Sequence, residues 1–501
     1  MNEKWIIFAK DSNSPYFRNK IWVDAMHLWK DYGIDDTFIG ISSKENDIDY
    51  LIVQSSWLKA GETFFAKIKD NLNLFEDIID QAKVNGEKMN AFTEKLFHMD
   101  LSKKKTEELI VLYKEFTEFQ AREYALGVLL PLVDLGGSSL VEGKLKEFLK
   151  EKVSDENYLE YHQVFTFPSN DSFQEEQEFD LLELYGSLSD NEKNVLLKDN
   201  ALDVFKKDFI DVYEKIVLHT AKYCWVYYVY AGPAYTEKDF IGFLQDYLKK
   251  GINAQDEIDK KKERRKIMEE KKAKYVLELK PDVMTQKIID LSGKLVWAKP
   301  RRKDLQSKSY YHIEKLQIEL GKRFSLSLSE VRACPLSMME SGEIDKEIIK
   351  EIIRVHVLVP ENGETQFLYG KDAEQFISTE IKAVEEKEVS ESNEIKGTCA
   401  CPGEIIEGKA KIVNKPVDMA KMEYGDILIS VATTPSIVPA MKKASAIVTD
   451  EGGLTCHAAI VSREMDIPCV VSTHHATKVI KDGELIKVDS VKGILTKVKE
   501  F

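Results

Sequence analysis

One stretch constrains the architecture of this chain more than any other: Asp450-Glu-Gly-Gly-Leu-Thr-Cys-His-Ala-Ala-Ile-Val-Ser-Arg-Glu464. The apolar run Ala446–Thr449 before it predicts a strand. The Gly452-Gly453 pair predicts a tight turn, and the small and apolar residues after it predict a helix. That order places His457 in the first helical turn, where unpaired N–H groups and the positive end of the helix dipole favour an anion. An imidazole with an ordinary pKa of about 6.5 is a competent nucleophile at neutral pH. Its attack on phosphorus gives a phosphoramidate, which divides one transfer into two. His457 is therefore read as a phosphoryl carrier. Gly452 and Gly453 let backbone approach the phosphoryl oxygens, and the Thr455 hydroxyl and the helix-start N–H groups donate to them. Ala458 and Ala459 are expected to keep the surface around the ring low, so that it reaches a partner's site. Arg463 is not clearly on the face of His457 and is given a structural role, pairing with Glu464 or Asp450. The plain alternative is a helix N-terminus with an incidental histidine; the glycine pair and the threonine weigh against it.

A length of 501 residues predicts more than one domain, and 43% hydrophobic residues suffice for real cores. Residues 1–60 mix short apolar runs with turns and read as a small α/β element. Residues 61–380 are expected to be helical, with Leu109, Leu112, Phe116 and Phe119 at helical spacing. Segment 129–139 breaks that pattern. Segment 256–279 reads as one long charged helix, segment 307–323 as another, and 356–369 as a hairpin around Asn362-Gly363. Residues 381–396 are charged and poor in apolar groups, and read as a linker. From 397 to 501, short β-rich runs alternate with glycine turns and two short helices, which predicts a compact α/β domain. The fold class expected is multidomain: a mainly α-helical N-terminal region followed by this smaller domain.

A net charge of −15 gives no basic footprint for nucleic acid or an anionic membrane. The basic run 260–266 is interleaved with acidic residues and reads as a solvated helix face. No apolar run is long enough to span a bilayer, and the start of the chain is too short and polar for an export signal. Six cysteines in so long a chain make no disulfide framework. No His/Cys pair has zinc spacing, so no metal is expected. The reading is a cytoplasmic protein with reduced thiols.

Segment 452–463 resembles the phosphohistidine signature of phosphoenolpyruvate-utilising enzymes, a family that includes phosphoenolpyruvate synthase, pyruvate phosphate dikinase and rifampicin phosphotransferase. Pro402-Gly403 and Glu407–Val413 resemble the opening strands of that domain, and Thr433–Ala444 resembles the helix before the signature strand. Asp466-Ile-Pro-Cys-Val-Val471, Asp482-Gly483 and Val488-Asp489 resemble its close. The resemblance covers residues 397–501 and implies a swivelling β/β/α phosphohistidine domain. His457 would be the carrier with Thr455 beside it, and Gly452, Gly453, Cys456 and Arg463 would surround the phosphoryl group. Leu454 stands where many members are polar, and Asp466 and Ser472 where the family often has glycine. Residues 1–380 show no glycine-rich phosphate loop and no ATP-grasp set, and no phosphoenolpyruvate-binding barrel is expected with this domain. The order of domains also differs from that of enzyme I of the sugar phosphotransferase system. The resemblance therefore implies that ATP and Mg²⁺ belong to a separate ATP-grasp protein, with no cofactor bound by this chain. In rifampicin-phosphotransferase-like proteins a helical region binds the acceptor, and segments 219–225 and 310–323 resemble it at scattered positions.

Several residues are candidates for holding that acceptor. Arg301, Arg302 and Lys303 suit a phosphate or an acidic molecule, or form a solvated basic turn. Tyr223, Trp225, Tyr227, Tyr228 and Tyr230 suit an apolar pocket, or pack a core. His219 and His312 suit a general base, or are satisfied structural histidines. His474 and His475 read as loop residues. Two functional readings follow. In one the chain is a dikinase-like phosphotransferase component, carrying a phosphoryl group on His457 between a nucleotide-binding partner and a small-molecule acceptor. In the other it is a non-catalytic binding or regulatory protein that keeps a relic of the swivelling domain.

Overall fold

The computed structural model describes residues 4–34, 39–132, 141–168, 170–361, 364–381, 394–434, 437–454 and 456–498. The chain divides into two compact units, Met1–Ala383 and Val384–Phe501.

The N-terminal unit is built on the helix Val283–Phe324, which packs against Leu72–His98, Thr106–Leu132 and Val141–Lys152. Asp282 caps it by accepting the Thr285 N–H at 2.7 Å, and Ser325 ends it in the left-handed region. Ile288, Ile289, Leu295, Ile313, Leu316 and Leu320 bury one stripe of it. This helix is much longer than the expected 307–323, because it continues through Pro300. The helix Thr106–Leu132 likewise runs on past the start of the expected break; residues 133–139 lie outside the described residues. The charged helix Ala254–Leu279 buries only Ala254, Ile258 and Tyr275, as a solvated helix does.

A five-stranded antiparallel sheet completes the unit, in the order β1-β3-β2-β4-β5. Its strands are β1 (Ile6–Asp11), β2 (Ile39–Lys44), β3 (Asp47–Ile52), β4 (Val355–Glu361) and β5 (Glu364–Tyr369). Glu45 and Asn46 both take positive φ between β2 and β3, as a two-residue hairpin requires. The expected hairpin is β4–β5; its turn residues Asn362 and Gly363 lie outside the described residues. Residues 1–60 are not an element apart. Ile41 and Ser42 of β2 pair with Leu358 and Val357 of β4, so the sheet closes around a partner from the far end of the unit. Local periodicity carries no trace of that pairing.

The C-terminal unit holds an eight-stranded sheet ordered β6-β13-β12-β8-β9-β10-β11-β7. The strands are β6 (Glu394–Lys396), β7 (Thr398–Cys401), β8 (Ile406–Ile412), β9 (Ile427–Ser430), β10 (Ala446–Thr449), β11 (Cys469–Val471), β12 (Leu485–Asp489) and β13 (Ile494–Lys497). β8, β9, β10 and β11 are parallel neighbours, and the other pairs are antiparallel. Every residue of β9 and β10 is buried, as in strands covered on both faces. Ile427, Ile429, Val448, Val470, Ile486 and Val488 form the core. Residues 394–396, expected in the linker, are β6, with Ile395 in that core. The rest of the linker that the structure leaves undescribed is 382–393. Where a helix was expected over 433–444, the described residues hold only the short Val438–Met441. Among the described residues no helix is long and apolar enough to cross a membrane.

Candidate functional site

The site of interest lies past the C-terminal ends of β9 and β10, the end at which open parallel sheets place ligands. β10 delivers Asp450, whose carboxylate accepts the Thr473 hydroxyl at 2.8 Å and the Thr477 N–H at 3.2 Å. Asp450 is 4% exposed and fastens the turn to the loop after β11. It is fully engaged there and does not pair with Arg463. The turn itself needs glycine at 452. Its φ is +105°, and a Cβ there would stand 2.6 Å from the Cys456 Sγ. The Cys456 N–H then bonds to the Gly453 carbonyl at 3.0 Å, and the helix His457–Glu464 begins.

Cys456 is the N-cap in extended conformation, with no side-chain cap hydrogen bond and no acidic residue in the first turn. The start of the helix thus keeps its positive character. His457 is the first helical residue and is half-buried, with part of its surface open to solvent. Its Nδ1 lies 2.7 Å from the Thr433 Oγ1. Thr433 stands just past β9, and the two parallel strands bring it beside the histidine. Thr433 was not among the residues picked out from the sequence; it was read only as the start of a helix over 433–444. Thr455 lies outside the described residues.

Ala458 and Ala459 do not lower an exposed surface. They are 2% and 0% exposed and pack the helix into the unit. At the second and third helical positions they face inward, and their small size allows close packing. Arg463 reaches back to donate to the Leu454 carbonyl, bracing the turn from below. Its guanidinium sits in the field of Cys456, Cys401 and Cys469, with Nε buried and without a hydrogen-bond partner. Burial holds its pKa below the usual arginine value. The thiols themselves are pushed up by burial, Cys399 to about 11 and Cys456 in the same direction. They are protonated at neutral pH, and the described cysteines are all free. Asp466 and Ser472, which stand where the family often has glycine, both take positive φ, +54° and +59°. That is the region glycine favours.

In the N-terminal unit the candidate residues separate. Arg301 pairs with Glu176 at 2.9 Å and lies over the Phe173 ring at 3.3 Å. Arg302 turns inward to face Glu123 at 3.5 Å. His219 is packed between Gln177, Tyr223 and Phe240, and burial lowers its pKa to about 4. His312 lies against Thr93 and Phe97, lowered by burial to about 3. Both are neutral core histidines at pH 7. Tyr223, Trp225, Tyr227, Tyr228 and Tyr230 are all buried. They follow the helix Ile210–Tyr223 in a turn that Ser307 holds through the Val229 N–H and the Trp225 carbonyl. His474 and His475 are loop residues. Among the described residues no group of three or more His, Cys, Asp or Glu side chains is placed to hold a metal ion.

Residues 422–493 match the model of the mobile domain of PEP-utilising enzymes. Similar curated proteins include a probable phosphoenolpyruvate synthase of Archaeoglobus fulgidus, 46% identical over 168 residues, which are 32% of this chain and 22% of that protein. A probable phosphoenolpyruvate synthase of Methanothermobacter thermautotrophicus is 51% identical over 24% of this chain and 17% of its own length. The phosphoenolpyruvate synthase of Pyrococcus furiosus is 48% identical over 24% of this chain and 15% of its own. The chain thus spans less than a quarter of the length of these relatives.

Proposed function

We propose that this chain, whose C-terminal unit belongs to the PEP-utilising enzyme family, is a phosphotransferase component that carries a phosphoryl group on His457. The observation that supports this best is the contact between His457 Nδ1 and the Thr433 hydroxyl at 2.7 Å, on a ring that is part-exposed at a helix start. When Nδ1 carries the proton and donates it to Thr433 Oγ1, the lone pair of Nε2 is the nucleophile. A hydroxyl that holds one nitrogen fixes the orientation of the ring. Nε2 attacks a phosphoryl phosphorus of a nucleotide; the P–N bond forms as the bond to the leaving phosphate oxygen breaks. The helix-start N–H groups stabilise the charge that develops on the equatorial oxygens. In the second half, an oxygen of the acceptor attacks phosphorus, the P–N bond breaks, and the acceptor's proton leaves to solvent or to the departing imidazole. ATP and Mg²⁺ are held by a separate ATP-grasp protein, the C-terminal unit swivels as the carrier, and the helical N-terminal unit holds a small-molecule acceptor.

The test is phosphorylation by candidate ATP-grasp proteins with labelled ATP. An acid-labile, base-stable label is expected on the wild-type chain and absent from His457→Ala. A label that persists in His457→Ala sinks the proposal.

A further inference from the structure

Cys399, Cys401, Cys456 and Cys469 lie in the C-terminal unit, and two of them face each other across a strand pair. β7 and β11 run antiparallel, with Cys401 opposite Cys469. Ala400 bulges between the two β7 cysteines, and Cys399 pairs with Val470. Opposed residues on antiparallel strands share a face, with Cβ atoms about 4.5–5.5 Å apart. A disulfide takes Cβ atoms about 3.5–4.5 Å apart. The Cys401–Cys469 pair therefore closes with a movement of about 1 Å. Both residues are buried, at 4% and 0% exposed.

The pair lies on the face of the sheet that the helix His457–Glu464 covers. That helix packs against both strands, and its Arg463 sits in the field of both thiols. Val470 belongs to the core on the other face, so its partner Cys399 points away from the pair. Cys456 is turned towards the signature turn, with its Sγ against Gly452. Among the described residues no three such groups are placed to hold a metal ion. A bond between two sulfurs is the chemistry that the spacing of Cys401 and Cys469 fits. β7 is the outermost strand of the sheet and β11 is its neighbour. A covalent link there fastens the edge strand next to the bulge that interrupts its ladder.

We propose that Cys401 and Cys469 are a reversible oxidation site, which a peroxide closes to a disulfide that staples β7 to β11. This does not rest on the phosphotransfer reading. Cys401, on the edge strand and the more exposed of the two, is oxidised first. Its sulfur attacks a peroxide oxygen, the O–O bond breaks, and water leaves behind a sulfenic acid. The Cys469 sulfur then attacks that sulfur. The S–S bond forms, the S–O bond breaks, and the departing hydroxyl takes the Cys469 proton as a second water. Two thiols are oxidised by two electrons and one hydrogen peroxide is reduced to two waters. Burial keeps Cys469 protonated, so closure is slower than that of a surface pair.

The test treats the full-length chain with hydrogen peroxide, blocks the remaining thiols after unfolding, and maps peptides by mass spectrometry without reductant. A peptide pair joined through Cys401 and Cys469, lighter by two hydrogens than its parts, is expected, and dithiothreitol should separate it. Amide exchange at Thr398–Cys401 is expected to slow by about tenfold or more in the joined chain. Cys399→Ala is expected to join as the wild type does. Cys401→Ala is expected to keep the wild-type circular dichroism and to show no effect of peroxide on exchange. Mapping and exchange are read on the unaltered chain, so they decide the matter even where a variant does not fold. The proposal is overturned if Cys401 and Cys469 stay blockable once the part-exposed Cys399 and Cys456 are oxidised. It is equally overturned if the bond joins another pair, or if the joined chain exchanges at the wild-type rate.

Discussion

The two units keep their polar chemistry in opposite ways. In the C-terminal unit the proposed carrier, His457, stands part-exposed past the end of a parallel sheet, with its Nδ1 against the Thr433 hydroxyl. In the N-terminal unit Arg18, Glu123 and Asp304 are buried, with Arg302 mostly so, and they come together from segments far apart in sequence. A nucleophile has to be reachable, so losing a contact beside it changes a rate more than a fold. A buried charge is held by everything around it, so losing a partner leaves another charge stranded. Substitutions in the first region are therefore expected to act on transfer, and those in the second on stability and binding.

The largest effect expected is that of Arg18→Ala. It strips the Tyr50 and Tyr124 hydroxyls of a charged donor and empties a packed volume, so a loss of about 3–5 kcal/mol is expected. All six tryptophans lie in the N-terminal unit, so urea unfolding followed by tryptophan fluorescence reports this unit alone. A loss below about 1 kcal/mol would break the contrast. Gly452→Ala is expected to cost the C-terminal unit about 3 kcal/mol, from strain at φ +105° and overlap with Cys456. Loss of far-UV circular dichroism in urea without an earlier tryptophan transition would place that loss in the right unit. Thr433→Val sharpens the contrast further. Phosphohistidine formation is expected to fall about 10–100-fold with unfolding unchanged, because the ring loses the hydroxyl that holds its Nδ1. Thr433→Ser is expected to recover most of the rate and Thr433→Val to shift the pH profile of labelling. Equal rates in both variants would remove Thr433 from the positioning role.

How much the sequence disclosed also differs between the units. The strands β8 to β13 were legible because each is a short β-rich run bounded by glycine or charge, and β10 matches its expected bounds, Ala446–Thr449, whereas β6 read as linker. The Gly452 turn and the helical start at His457 were legible for the same reason: local conformation there is set by the residues themselves. Thr433 was not, because its contact with His457 is made by strand order, and strand order is not written in a local pattern. Asp466 and Ser472 looked like departures from glycine, and both take positive φ in the structure. In the N-terminal unit, helices were legible as a class and their lengths were not. Pro300 reads as a stop, yet packing on both sides carries the helix through it. The Arg301-Arg302-Lys303 run reads as one basic turn, and the structure sends its members to three different environments.

The smallest effect expected tests whether burial in the N-terminal unit sets protonation as described. Glu123 and Asp304 have folded pKa values raised to about 7, so the native unit holds more protons than the unfolded chain above their ordinary values. Stability from this source is present at low pH and is lost as pH rises through about 7. His219, His312 and His356 act the other way. Burial lowers them to about 4, 3 and 4, so their contribution is gained as pH rises towards 6.5. Below pH 6.5 the two groups oppose each other; above it the histidines are neutral in both states and the carboxyls remain. Between pH 6.5 and 8 each carboxyl is expected to cost about 1 kcal/mol. Glu123→Gln, read by tryptophan fluorescence in urea, should therefore fall by about 1 kcal/mol less than the wild type over that window. The C-terminal unit offers the control. Asp418, Asp489 and Glu484 are held below their ordinary values by hydrogen bonds and nearby lysines, so their stabilisation is complete well below pH 6.5 and does not change across it. A wild type and a Glu123→Gln variant with the same fall would mean that Glu123 is ionised in the folded unit.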